Sequence, residues 1–124
     1  WKLRQDRRVV VMEETNARYL ARLPEVISLV TVDASFISLK ILLPVIANWL
    51  SSGGDVIALV KPQFEAGRDE VRKGIIRDEA VHARVLAEVS AAATELGLAR
   101  VAATPSPITG QKGNVEFLLH LRRS

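Results

Sequence analysis

Apolar residues arrive in short blocks along the chain, and the spacing within them changes from block to block. Residues 26–32 (VISLVTV) and 55–60 (DVIALV) are nearly continuous apolar runs. The first stops at Asp33 and the second at Lys61-Pro62. Runs of this kind suit strands buried on both faces, as in a parallel sheet. Residues 8–12 (RVVVM) form a shorter β-branched block and predict another strand. Glu13-Glu14 follows it, and Thr15 or Asn16 then caps a short helix with Tyr19, Leu20 and Leu23 on its apolar face. Pro24 ends that helix.

Two longer segments carry helical spacing. In residues 35–50 the stripe is Ile37, Ile41, Leu42, Val45, Ile46 and Trp49. Pro44 kinks this helix or restarts it at a first-turn position, and Gly53-Gly54 supplies its stop. Asp78 caps the second, whose stripe is Val81, Val85, Val89, Ala92, Ala93 and Leu96, with Gly97 as terminator. Between them, residues 63–77 are polar and read as a surface loop of lid length. Residues 98–104 and 115–121 predict two further strands around a turn-rich stretch at 105–113. The order β-α-β-α-β-loop-α-β-β predicts an α/β fold, a mostly parallel sheet with one antiparallel strand. No repeat or linker-like shift in composition divides it, so a single domain over 1–124 is expected.

Composition narrows the function classes. Of 124 residues, 48% are hydrophobic and 25% charged, which excludes a disordered chain. There is no Cys, so disulfide scaffolds and Cys-ligated metals are excluded, and a reducing, cytoplasmic setting fits. No apolar run reaches the ~18 residues of a membrane span, and no signal peptide is visible. The chain opens on Trp1 and not on Met, and a piece of something longer is expected. A net charge of +3 permits an acidic partner such as RNA without demanding one.

Ligands of open α/β sheets sit beyond the carboxyl ends of the strands. Asp33 and Lys61 occupy two such ends. Glu116 stands near the start of the last strand, which reaches the same edge if that strand is antiparallel. The three then converge on one rim. Each alone has an ordinary reading: a turn aspartate, a solvated lysine, a glutamate on the wet face of a strand. His82, on the polar side of its helix, and His120, in a strand, share no motif with a carboxylate and are assigned to structure, as are Trp1 and Trp49.

The strings VDASFISLKILLP (32–44), ALVKPQFEAGRDEVRKGIIRD (58–78) and SPITGQKGNVEFLLHL (106–121), together with RVVVMEETNARYL (8–20), resemble the TlyA, or hemolysin-A, family. That family consists of ribosomal RNA methyltransferases with an FtsJ-like catalytic domain. The resemblance implies an S-adenosylmethionine-dependent enzyme with a Rossmann-like fold that methylates cytidine 2′-hydroxyls in ribosomal RNA, without a metal. The family's tetrad is Lys, Asp, Lys, Glu. Its last three members fall on Asp33, Lys61 and Glu116, and the first lies upstream of Trp1. The implied chemistry needs Lys61 to accept a proton from the ribose hydroxyl, which requires a lysine pKa well below the usual ~10.4. Asp33 and Glu116 hold the groups in line.

The resemblance implies that the family's first two catalytic-domain strands, its Gly-rich cofactor turn and its amino-terminal RNA-binding domain are expected to lie outside this sequence. The seven glycines are scattered, with no GxGxxG pattern. Glu13, Asn16 and Asp33 remain as expected cofactor contacts, and weak cofactor binding by the fragment follows. Loss of two strands exposes a sheet edge, which predicts rearrangement or a homodimer. Arg68, Arg72, Lys73 and Arg77 suit either a solvated face or an RNA backbone. Gly110-Gln111-Lys112-Gly113 resembles a KH-type GXXG loop but is read as the turn presenting Asn114 and Glu116. A non-catalytic RNA-binding module is the alternative function. A membrane-active haemolysin fits poorly, since no segment spans a bilayer.

Overall fold

The computed structural model describes residues 26–124, so the 8–12 strand, the helix at 15–23, Glu13, Asn16 and Trp1 lie outside the described residues. Four strands form one sheet: β1 (Ile27–Val32), β2 (Leu50–Val60), β3 (Leu98–Pro105) and β4 (Phe117–Arg123), in the order β1-β2-β4-β3. β1 and β2 are parallel, and β4 runs antiparallel between β2 and β3. Three strands therefore share one direction and the last reverses between them, the mixed α/β sheet that the strand pattern predicts. Helices α1 (Leu39–Trp49), α2 (Pro62–Glu65) and α3 (Glu79–Glu95) connect them.

One face of the sheet is sealed. Val56, Ala58 and Val60 of β2 and Leu119 and Leu121 of β4 meet Leu39, Leu42, Leu43 and Ile46 of α1 and Val85, Val89 and Ala93 of α3 in one buried cluster. Leu43 is fully buried there, so truncating it to alanine costs about 2–5 kcal/mol. On the opposite face Ile57, Leu59, Leu118 and His120 are only half-buried among the described residues. This corrects the expectation of strands buried on both faces: α1 and α3 pack together on one side, and the sequence pattern does not reveal that.

Other differences are local. α1 begins at Leu39, with Ser38 as N-cap accepting from the Lys40 N–H, and continues through Pro44, which lies beyond the first turn. Gly53-Gly54 does not stop α1. The helix ends at Trp49, Leu50 is already extended, and the glycines belong to β2. They form an irregular stretch in which Ile27 pairs with Leu50 and Leu29 with Asp55. A side chain at Gly54 would run into Leu50 and the carbonyls of Ser51 and Ser28. Residues 63–77 are not one loop. Pro62–Glu65 is helical, Arg68–Glu70 is a 3-10 turn, and Arg72 and Ile75 bridge each other. Asp78 caps α3 through the Ala80 N–H, as predicted, and Gly97 follows the helix with φ +79°.

Candidate functional site

The ladder between β2 and β4 places Val60 opposite Phe117. One step outward, Lys61 and Glu116 take facing positions on the half-buried side of the sheet. In the parallel neighbour, Val32 aligns with Ala58, so Asp33 leaves β1 beside the end of β2. The three residues that strand order singled out therefore line one groove of about 800 Å³. Leu59 and Leu118 are its floor, and residues 106–110 form its far wall.

Charge is distributed unevenly in this groove. The Lys61 side chain is 11% exposed, and its Nζ lies 2.5 Å from Asp33 Oδ1, whose side chain is 71% exposed. Lys61 Nζ also donates to Ser35 Oγ at 3.2 Å. Glu116 is 6% exposed, and its Oε2 accepts from Gln63 Nε2 at 2.9 Å. The carboxylate lies against Gly110 so closely that even a methyl group there would overlap it. Phe36 is 82% exposed and holds φ +63°, a conformation non-glycine residues adopt at a cost. Its ring stands 4.9 Å from that of Phe64, which also lines the groove.

Asp33 borders a second hollow of about 230 Å³, lined mostly by apolar side chains of β1 and α1 such as Val32, Leu42 and Ile46. Among the described residues β1 has one strand neighbour, and the Asp33 side chain at its end is largely exposed. Among the described residues, no three His, Cys or acidic side chains gather as a metal site.

The remaining candidates sit elsewhere. Arg72, Lys73 and Arg77 line a separate hollow of about 630 Å³ with Asp69, Glu70 and Asp78, so its charge is mixed. Arg68 belongs to the adjoining 3-10 turn. This segment is fastened down. The Ile76 N–H donates to Asn114 Oδ1 at 3.0 Å, Asn114 Nδ2 donates to the Gly74 carbonyl at 2.7 Å, and Lys112 Nζ donates to the Lys73 carbonyl at 2.9 Å. Asn114 is thus a buried staple rather than a group presented to the groove. The turn at residues 110–113 closes through a Gly113 N–H to Gly110 carbonyl bond.

His82 is buried, not on a polar face. Its Nε2 is 3.0 Å from the Ile76 carbonyl, and its ring meets Phe117 edge-on at 5.7 Å. The buried residues of α3 are His82, Val85, Val89, Ser90 and Ala93, with Val81 partly buried against the core beside them. His120 does have a carboxylate partner, Asp55 Oδ1 at 2.8 Å, supplied by the neighbouring strand. Trp49 packs against the core. Ser35, Phe36, Gln63, Phe64 and Glu65 were not singled out by sequence reasoning. Pro62 was the available signal, since proline at the first helical position starts a helix and aims the next side chains.

A model of the FtsJ-like methyltransferase family matches residues 1–123. The chain is 52% identical to YqxC of Bacillus subtilis, named as a candidate rRNA methyltransferase, over 98% of this chain and 44% of that protein. It is 46% identical to the 16S/23S rRNA (cytidine-2′-O)-methyltransferase TlyA of Mycobacterium tuberculosis, over 98% of this chain and 47% of that protein. It therefore spans less than half the length of either relative. A Streptococcus thermophilus structure described as a hemolysin superposes with a TM-score of 0.95 at 48% identity, covering 100% of this chain and 46% of that one. The N-methyltransferase NodS of Bradyrhizobium japonicum, solved with S-adenosyl-L-homocysteine, shares the fold at TM-score 0.54 and 15% identity, over 88% of this chain and 52% of that one. The sheet is thus of the Rossmann-like methyltransferase type. Among the described residues no helix is long and apolar enough to cross a membrane.

Proposed function

The chain belongs to the FtsJ-like methyltransferase family, and on that premise we propose that residues 1–124 are the carboxyl-terminal part of one catalytic domain that methylates ribose 2′-hydroxyls of ribosomal RNA. The observation that carries this reading is the Lys61–Asp33 pair at 2.5 Å in the same groove as the buried Glu116.

Lys61 is the proton acceptor in this proposal. As the ribose oxygen attacks, its O–H bond breaks and the proton passes to the lone pair of Lys61 Nζ, which the step requires as the neutral amine and leaves as the ammonium paired with Asp33. A base held in line contributes about 10²–10⁴-fold to such a step. Asp33 and Ser35 hold the amine in direction, and Glu116, steadied by Gln63, orients the hydroxyl. S-adenosylmethionine, when bound, supplies an electrophilic methyl group on a sulfonium. Glu13, Asn16 and Asp33 are its proposed contacts in this chain, with Asp33 exposed on the open side of β1. Phe36 offers a bare ring on which a nucleobase can stack.

Arg68, Arg72, Lys73 and Arg77 are the proposed contacts to RNA phosphates. They sit on a segment tied by Asn114 and Lys112 to the turn that leads into Glu116, so a strand held there runs towards the groove. Ribosomal RNA or a ribosomal subunit is the proposed partner, and the cytoplasm the proposed compartment. The edge of β1 that has no strand neighbour among the described residues, where Leu29 is exposed, is the proposed place for a further strand or a second copy of the chain to pair.

The test is transfer of a labelled methyl group from S-adenosylmethionine to ribosomal RNA by the full-length protein. Lys61→Ala is expected to lower kcat about 10²–10⁴-fold with KM for RNA little changed. Undiminished transfer by this variant contradicts the assigned role.

A further inference from the structure

α2 is a single turn, yet each of its polar or aromatic side chains reaches a different part of the rim. Gln63 donates to Glu116. Phe64 sets its ring at a tilt against that of Phe36. Glu65 spans the gap to α1: its Oε1 accepts from Ser38 Oγ at 2.5 Å and its Oε2 from the Leu39 N–H at 2.7 Å. Ser38 is already the N-cap of α1 through Lys40. The carboxylate of Glu65 therefore caps the same helix end from outside, where backbone N–H groups lack partners and an anion is favoured.

The effect reaches the neighbouring segments. Lys61 enters α2 directly, and Asp33 and Ser35 lead into α1. A helix of four residues has too few internal bonds to hold its own direction. The Lys61–Asp33 pair contributes only in part, because Asp33 is largely exposed. The two bonds at Glu65 join the leading segments beside the Lys61–Ser35 bond and the Phe36–Phe64 contact. Burial raises the Glu65 carboxyl above its ordinary 4.5, against the pull of Ser38 and the Leu39 N–H.

We propose that Glu65 is a positioning residue for the reaction: by clasping α2 to the start of α1 it holds Lys61 against Asp33 and Ser35. This rests on the reading that Lys61 accepts the ribose proton. Glu65 itself touches neither Lys61 nor the groove's other acids.

The experiment compares Glu65→Ala and Glu65→Gln in the full-length protein, with methyl transfer to ribosomal RNA, the folded fraction and the melting temperature measured for each. Glu65→Ala is expected to lower kcat per folded molecule roughly 10- to 100-fold with KM for RNA unchanged, as for a small misplacement of a reacting group. Glu65→Gln, which keeps one acceptor oxygen, restores part of that kcat. A purely structural role lowers the folded fraction and the melting temperature and leaves kcat per folded molecule where it was. A Glu65→Ala variant with kcat per folded molecule within about twofold of the unaltered protein therefore overturns the proposal, and so does a Glu65→Gln variant that restores nothing. If the unaltered protein transfers no methyl group at all, the assigned activity fails first and this role falls with it.

Discussion

β2 and β4 carry charge at both ends, and the two ends behave differently. At one, Asp55 accepts from Arg122 Nε at 2.9 Å and pairs with His120 Nε2 at 2.8 Å across the ladder. At the other, Lys61, Asp33 and Glu116 surround a groove of about 800 Å³. The first cluster includes a histidine and an acid, the pairing most often associated with catalysis. It lies midway along β2, at the far end of the ladder with β4, and none of the three hollows described above includes its residues. Its acid is matched on both sides. Asp55's carboxyl is held below its ordinary 3.8 by the hydrogen bonds from His120 and Arg122. The second cluster leaves Asp33 largely exposed, while Lys61 at the carboxyl end of β2 and Glu116 beside it are sheltered. Titratable residues in contact are common in folded proteins. A concave place for a substrate beside them, at the end of the sheet where loops open, separates a site from a brace.

The comparison breaks most visibly at Gly110. A side chain there displaces the Glu116 carboxylate, so Gly110→Ala is expected to lower kcat roughly 10- to 100-fold. The fold should survive, since the residue lies outside every strand and helix, and the melting temperature and far-UV circular dichroism check that. A smaller effect is expected on the RNA side. Arg72→Glu and Lys73→Glu each weaken RNA binding several-fold, and the slope of log K against log salt becomes shallower by about one for each phosphate no longer neutralised. Filter binding at several salt concentrations measures both.

The smallest effect belongs to the brace. Because the folded-state pKa of Asp55 is depressed, its contribution to stability is present above about pH 3.8 and is lost as the pH falls through the folded value. Asp55→Asn should lower the melting temperature by a few degrees at neutral pH, and the gap should close in acid. Methyl transfer should stay within about twofold. A large loss of kcat in this variant would remove the distinction between the two ends.

Much of the fold was legible because strands and helices announce themselves differently. The runs at 26–32 and 55–60 and the stripe ending at Gly97 fall on β1, β2 and α3. Asp33, Lys61 and Glu116 were visible because each ends or begins a strand on one edge, and their literal strings sharpened that. What stayed hidden depends on partners distant in sequence. His82 reads as polar-faced until Ile76 and Phe117 close around it. Asn114 reads as a loop residue until its two bonds to the 74–76 segment are seen. Glu65 reads as a surface acid, since nothing in PQFE signals that Ser38 and Leu39 lie within reach. Gly53-Gly54 misled because glycine ends helices and also serves crowded bulges, and only the approach of Leu50 and Ser28 decides between them.

The chemical identity of the product tests the central assignment most directly. Ribosomal RNA treated with the full-length protein and S-adenosylmethionine, then digested to nucleosides and separated by mass spectrometry, should contain new 2′-O-methylcytidine. The same reaction with Lys61→Met should contain none above background. Methyl groups found on bases instead of ribose, or an undiminished 2′-O-methylcytidine peak from the Lys61→Met protein, would contradict the account.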